Sequence, residues 1–413
     1  MSKKKRTILA LCIAIGMLAF SYWITNQRYA LSGETALMRK LELVKGWFRP
    51  HINPMADSVL LVNVSYDPVL VGVHDSEGAP AGWDKITDRG KLLRLLQELK
   101  RKNDYKYIML DVIFLDDNDT RTETDSLLFT QILSMERIVI PKDGNKPLAD
   151  NRLYEKAGWA NYYTNYKYVS FAKYPYLVNK ERSIPLKMYE DITGRQIKDF
   201  GLFAVEGYRL VRSSILLPFE LRCDSAYTQD GEKTWYNLGM DLLGCSYKFG
   251  IDSIQGSDEL YSNPDLTRDK YIVIGAFSSG DMHYSYLENQ PGPAILFNAF
   301  LGLLHQHHVI SWSVFLLLFV SFFILSYLIL GQQTLNVAIA GIKVKNNSLL
   351  KAGQRTLSII VSWIGYSMFL SILCVITYLW MGEVYDIFIT ATAFQFLSII
   401  IKLIYKSPNK TVL

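Results

Sequence analysis

Apolar positions run along this chain in two different patterns. Near the ends they form unbroken, uncharged stretches: residues 7–25 (TILALCIAIGMLAFSYWIT), 310–331, 356–381 and 387–401. Each is about long enough to cross a bilayer; the last is the shortest, and Lys402 and Lys406 after it can snorkel to the interface. Four transmembrane helices are expected. Between residues 26 and 309 the pattern is that of a folded domain. Residues 58–64 (SVLLVNV) and 107–114 (YIMLDVIF) read as buried strands, 137–140 as a short strand and 270–275 (KYIVIG) as a further buried strand. Residues 87–99 (TDRGKLLRLLQEL) read as an amphipathic helix, and 125–134 and 200–213 as further helices. Strand, helix, strand, helix, strand is the order that builds a mostly parallel sheet with covering helices, an α/β domain. Residues 159–177 (WANYYTNYKYVSFAKYPYL) place tyrosines at period two, as an antiparallel hairpin packed by one face or as an aromatic platform for a glycan or peptide.

Charge orients the spans. Lys3, Lys4, Lys5 and Arg6 precede the first, and Lys343, Lys345, Lys351 and Arg355 follow the second without an acid among them. Glu383 and Asp386 stand alone in the turn after the third, and Lys402, Lys406 and Lys410 close the chain. Every short loop therefore agrees with cytoplasmic N- and C-termini. The expected order is a basic tail (1–6), span (7–25), outside domain (26–309), span (310–331), basic loop (332–355), span (356–381), outside turn (382–386), span (387–405) and tail (406–413). The net charge of +5 is absorbed by this topology, so it gives no reason to invoke nucleic acid. A cleaved signal peptide is the rival for residues 7–25, with Ala19 and Ser21 as a cleavage pair; Tyr22 and Trp23, placed as at an interface, favour a retained anchor.

Catalytic chemistry finds little footing. The IGAFSSG segment at 274–280 approaches a nucleophile elbow, but DMHYSYLENQPG after it is a poor helix, and Asp281 and His283 lie too near Ser278 to form a triad. It reads as a glycine-punctuated turn after an edge of the sheet. The LDDND run at 115–119, with Asp111, offers oxygen ligands without the spacing of a calcium loop, and a solvated acidic loop is the simpler reading. No phosphate-binding loop or zinc-binding His-Glu-x-x-His occurs, and no cofactor, metal or enzymatic activity is expected. Cys223 and Cys245 lie where a disulfide is chemically allowed; Cys12 and Cys374 sit inside spans.

Several segments together carry a resemblance. LLVNVSYDP at 60–68, LDVIF at 110–114, GWAN at 158–161, IVIGA at 272–276 and PGPAILFNA at 291–299 occur in the order seen in the CHASE type 2 domain. Over roughly residues 30–310 the chain resembles that family of bacterial extracytoplasmic sensory domains, which one span usually precedes and three follow. Leu296 stands where the family usually has a histidine, and Asn63 and Ser65 where it usually has acids. The resemblance implies a bacterial inner-membrane protein with a periplasmic or extracellular domain that binds a ligand or partner. Family members commonly continue into a cyclase, kinase or phosphatase domain; here residues 406–413 follow the last span, so a separate effector protein is expected. Lipid is the other expected partner, and self-association is left open. Asp111, Asp67, Asn161, Ser278, Asp281, Asn298, Phe300 and His305 are the candidate ligand-binding or coupling positions. A non-switching structural or assembly subunit is the alternative function.

The stretch QPGPAILFNAFLGLLHQHHVISW at 290–312 ties domain to membrane. Proline suits the first turn of a helix over 294–308. Leu296, Phe300, Leu303 and Leu304 share an apolar face, and Asn298, Gly302 and His305 a narrower polar one. A break near 308–311 precedes the span, with Ser311 as its cap. His305 and His308 could share a metal or sense pH, but no acid or cysteine lies within their turn, so solvated interfacial histidines are expected. A cysteine-labelling scan checks the topology: Asn347→Cys should be protected from an impermeant reagent added outside, and Gly144→Cys and Gly256→Cys should react. Reaction of all three would refute four spans.

Overall fold

A computed structural model describes residues 2–27, 40–41, 58–65, 67–74, 77, 79–116, 122–144, 146–160, 172–178, 180–201, 203–217, 221, 223–227, 233–237, 266–277, 281–285, 289–331, 348–381 and 387–405. The chain divides into two compact units, one of residues 1–27, 31–48 and 310–413, the other of residues 28–30 and 49–309.

In the second unit β1 (Val59–Asn63) is followed by a ribbon of β2 (Pro68–His74) and β3 (Pro80–Thr87). With α1 (Lys3–Thr25) counted in the other unit, α2 (Arg89–Lys102) comes next, then β4 (Tyr107–Leu110), α3 (Asp125–Leu133), β5 (Ile138–Lys142) and β6 (Ala157–Trp159). Short strands follow: β7 (Lys173–Pro175), β8 (Leu177–Val178) and β9 (Glu181–Arg182), and then α4 (Ile184–Thr193). Beyond it lie β10 (Ile197–Asp199), β11 (Ala204–Glu206), β12 (Arg209–Val211) and β13 (Ser214–Leu216). The unit closes with β14 (Cys223–Tyr227), β15 (Lys233–Asn237), β16 (Tyr271–Gly275), β17 (Met282–Tyr284), β18 (Asn289–Pro291) and α5 (Gly292–Leu304).

Five of these strands make one parallel sheet in the order β1-β16-β4-β5-β6. Both faces are buried, which is why the strands read as continuous apolar runs rather than alternating ones. On one face Leu60, Val62, Ile108, Leu110, Ile138, Ile140, Ile272 and Ile274 share a core with Leu92, Leu96 and Leu99 of α2 and Leu128 and Ile132 of α3. Asp88 caps α2 through Lys91 N, so the helix begins after Thr87, which ends β3. On the other face α4 and α5 cover the sheet, and Tyr271 meets Phe297 and Phe300 with ring centroids 5.9 and 5.3 Å away. Such aromatic contacts add about 0.5–1.5 kcal/mol each beyond simple burial.

Three sequence expectations change here. Residues 200–213 are strand and turn: β10, β11 and β12 form an antiparallel sheet. Gly201 and Gly207 take φ values of +85° and +59°, which end any helix and fit tight turns. The hairpin expected over 159–177 falls mostly on residues 161–171, which lie outside the described residues; at its two ends β6 adds in parallel to β5 and β7 pairs with β13. The strand at 107–114 stops at Leu110, so Asp111 stands one residue beyond it. The strand at Tyr271–Gly275 is interior, so the turn after it leaves the middle of the sheet.

In the first unit α1 packs on α6 (Trp312–Leu330), and α7 (Ser348–Met381) on α8 (Ile387–Tyr405). Helices Lys3–Thr25, Trp312–Leu330 and Ile359–Tyr378 are long and apolar enough to cross a membrane by length and composition; the apolar stretch Ile389–Ile401 within α8 is shorter. The basic loop expected over 332–355 is helical from Ser348 onward. The Arg6 guanidinium stacks 3.8 Å over the Tyr327 ring, and its Nε donates to the Tyr327 carbonyl at 2.9 Å, near the C-terminal end of α6 where a cation is favoured. A Cβ on Gly331 would stand 1.8 Å from Arg6 Nη2, so only glycine leaves the guanidinium its place.

Phe300 is fully buried. Phe300→Ala should cost about 3–5 kcal/mol, and His307→Ala within about 0.5 kcal/mol. Thermal unfolding of the detergent-solubilised protein checks both, and comparable losses would show that Phe300 carries no special packing.

Candidate functional site

The carboxyl ends of the parallel strands are where an open α/β sheet offers a crevice. Register brings the end of β1 beside that of β16, with Asn63 opposite Gly275, and Asp111 N donates to the Ile274 carbonyl at 2.7 Å. The buried Asn63 Oδ1 accepts from Ser65 N at 3.0 Å and Phe277 N at 3.1 Å, clasping the exits of the two strands together. An acid at this position would bring a charge to two backbone donors; the asparagine joins the same groups without one.

Two aspartates meet at this edge. A Cβ built on Gly275 would lie 2.4 Å from Pro293 Cγ and 3.2 Å from Asp111 Cβ, and one on Gly292 would lie 2.5 Å from Asp281 Oδ2. The Asp281 carboxylate therefore rests on the first residue of α5, where the helix dipole favours an anion. Asp281 Oδ1 also stands 2.9 Å from His283 Nε2. Burial, and then the charge of Asp281, push the Asp111 carboxyl up to about 7. Part of its surface is accessible, but protein surrounds it closely enough to disfavour the ionised form. Asp111 in turn faces Tyr174, whose phenol burial pushes well above its ordinary value. Asp111 can hold and give up a proton near neutrality, and the two carboxyls can accept hydrogen bonds from a cationic or polar group at the strand ends.

At its other end α5 runs into a second cluster. Its C-cap is His305, and Gln306 takes a left-handed φ of +61° to turn the chain. His308, expected among solvated histidines, is fully buried. Its ring packs edge-on to Tyr176 and Tyr189, at 6.0 and 5.4 Å between centroids, and its Nε2 stands 3.6 Å from Glu206 Oε1. The Tyr189 hydroxyl also donates to Glu206 Oε1. His308, first, and Tyr189 hold the Glu206 carboxyl down at about 2, while burial pushes the Tyr189 phenol up to about 12. Backbone contacts lock the same segment: Arg212 N donates to the His308 carbonyl at 2.9 Å, and Val211 bridges Val309.

Of the candidate positions, Asp111 and Asp281 come together. Asp67 follows β1 on the same edge but is occupied by the Lys91 ammonium at 3.1 Å. Asn298 is not on a polar helix face; it is fully buried and clasps Leu221, its Oδ1 accepting from Leu221 N at 2.9 Å and its Nδ2 donating to Leu221 O at 2.6 Å. Indeed α5 is buried on every side from Gly292 to Leu303. Phe300 belongs to the core, and His305 is exposed with its ring centroid 6.2 Å from that of His307. Helix α5 ends at Leu304, earlier than the expected 308, and Ser311 precedes α6 without a side-chain cap bond. Asn161, Ser278 and the Cys223–Cys245 pairing fall outside the described residues or side chains. Glu206 and Tyr189 escaped sequence reasoning, since both lie about a hundred residues from His308 with no local pattern linking them. Among the described residues, no three His, Cys, Asp or Glu side chains gather as a metal cluster. The chain matches no family model, no curated protein and no solved structure.

Asp111 makes stability depend on pH in a defined direction. Well below its ordinary value of 3.8 the carboxyl is protonated in folded and unfolded chains alike. Above that value the unfolded chain ionises while the folded one keeps its proton, so stability falls until about pH 7 and stays lowered beyond. Asp111→Asn should therefore gain stability relative to the parent protein between pH 5 and pH 8, read as unfolding midpoints at the two values. Parallel midpoints would show that the carboxyl is not held neutral.

Proposed function

We propose that this protein is a membrane-bound sensor whose α/β domain lies outside the cytoplasm and has the character of a CHASE type 2 domain. On this reading four spans anchor it with both termini inside. The crevice at Asp111 and Asp281 takes up a ligand or a partner's polar group, and the spans or the basic loop pass the change to a separate effector. The observation that carries this is the course of α5. Its first residue lies against the Asp281 carboxylate, and its end leads through the clamped His308 and Val309 to Trp312, the first residue of a membrane-length helix. A group that neutralises or displaces Asp281 would act on the helix end that holds it.

A second reading, a scaffold that never switches, draws on the burial of α5 on all sides and on the clasp between Asn298 and Leu221, which suit a fixed strut. Gly292→Ala separates the two, because its methyl group displaces the end of a flexible aspartate side chain and no backbone. For a sensor, backbone amides at 305–309 should exchange with solvent about tenfold faster or more, a change of about 1.4 kcal/mol in local opening, while β4 and β16 stay protected. Unchanged exchange at 305–309 with a displaced Asp281 would favour the scaffold. A crosslinking pull-down from membranes would then identify the effector or the assembly partner.

A further inference from the structure

The register between β12 and the segment before α6 has a consequence for the membrane surface. Val211 pairs with Val309 in antiparallel fashion, and Arg212 N donates to the His308 carbonyl at 2.9 Å. In an antiparallel pair the chain leaving Val309 runs beside β12 toward Arg209 and Tyr208. Trp312, three residues on, opens a helix long and apolar enough to cross a membrane. Three residues reach at most about 10 Å, so a bilayer crossed by that helix begins within that distance of Val309.

We propose that the turn carrying Tyr208 and Arg209 is a membrane-docking surface, seated in the headgroup layer of the leaflet that α6 enters. Glu206 pairs with Arg209 across this turn, and Gly207 at φ +59° lets it close tightly with Tyr208 at its tip. Tyr208 is the most exposed large hydrophobic side chain among the described residues. A tyrosine ring with an apolar body and a polar end suits the interface, and an exposed guanidinium beside it suits lipid phosphates. Arg209 Nη1 also donates to Gln306 Oε1 at 2.9 Å, which ties the turn to the segment entering the membrane. Trp23 in the last turn of α1 and Trp312 at the start of α6 are likewise exposed, at the helix ends remote from the contact of Arg6 with Tyr327. The stacked pair Phe200 and Phe203, 5.2 Å between centroids, occupies the turn at the opposite end of the same strands. The inference rests on α6 crossing a membrane and is independent of any sensory role.

The test uses the full chain in lipid vesicles, its four cysteines replaced by alanine and a single cysteine introduced as Tyr208→Cys or Phe200→Cys. An environment-sensitive fluorophore on each is quenched by aqueous iodide or by a nitroxide held at the headgroup end of a lipid chain. The probe at 208 should be quenched several-fold more by the lipid nitroxide than the probe at 200, and several-fold less by iodide. Equal iodide quenching at both positions overturns the proposal. A probe at 208 shielded from both quenchers overturns it too, because a protein partner or a second copy then covers the turn. Should the labelled variants fail to fold, hydroxyl-radical oxidation of the unmodified chain in lipid discs gives the same answer. Tyr208 should be oxidised several-fold less than the less exposed Tyr284, and the reverse order overturns the proposal.

Discussion

Gly275 has no side chain, and the ring of Pro293 stands where one would be. Much of the second unit depends on that close approach. It seats the first turn of α5 on the end of the central strand β16, which draws Asp281 onto Gly292 and brings it near Asp111. It also sets the line along which Phe297 and Phe300 meet Tyr271. Replacing either glycine's hydrogen with a methyl group has different consequences. At Gly275 the obstacle is a proline ring fixed to a helix, and at Gly292 it is the end of a movable carboxylate.

Helix α5 couples two polar clusters through an apolar body. At its start, burial and a neighbouring charge keep one carboxyl protonated near neutrality. Near His308, past its end, the balance runs the other way, because an imidazole and a phenol hold Glu206 ionised down to about pH 2. That second arrangement lends stability above the ordinary glutamate value of 4.5 and loses it as pH falls toward 2. The two ends thus respond to acid with opposite sign. Between them Asn298 satisfies both backbone groups of Leu221, which prevents the cost of leaving those groups buried and unpaired.

In the other unit, polar contacts are placed at helix ends and apolar faces elsewhere. Ala10, Ala14, Met17, Leu18 and Ser21 present small or flexible side chains on the buried face of α1, a surface that lets helices approach closely. Arg6 keeps its charge solvated by an aromatic face and a carbonyl at the terminus of α6.

Local pattern was enough for the elements whose burial is uniform or strictly periodic. Residues 59–63, 107–110 and 271–275 are apolar on both faces and became strands of the parallel sheet; Leu92, Leu96 and Leu99 recur at helical spacing and became the inner face of α2. Three of the uncharged runs likewise needed no folding partner to be legible, since length and composition alone make them helices able to cross a bilayer. The prolines at 291 and 293 announced the start of α5 to within two residues. Tertiary structure decided the rest, because the deciding contacts join residues far apart in the chain. Residues 200–213 carry enough apolar residues for a helix, and only pairing among β10, β11 and β12 makes them a sheet. Nothing near His308 in sequence shows that Glu206, Tyr176 and Tyr189 enclose it, so a histidine that reads as solvated is buried. Asp111 and Asp281 are separated by most of the domain, and the order β1-β16-β4, which inserts a late strand between two early ones, is what brings them to one edge.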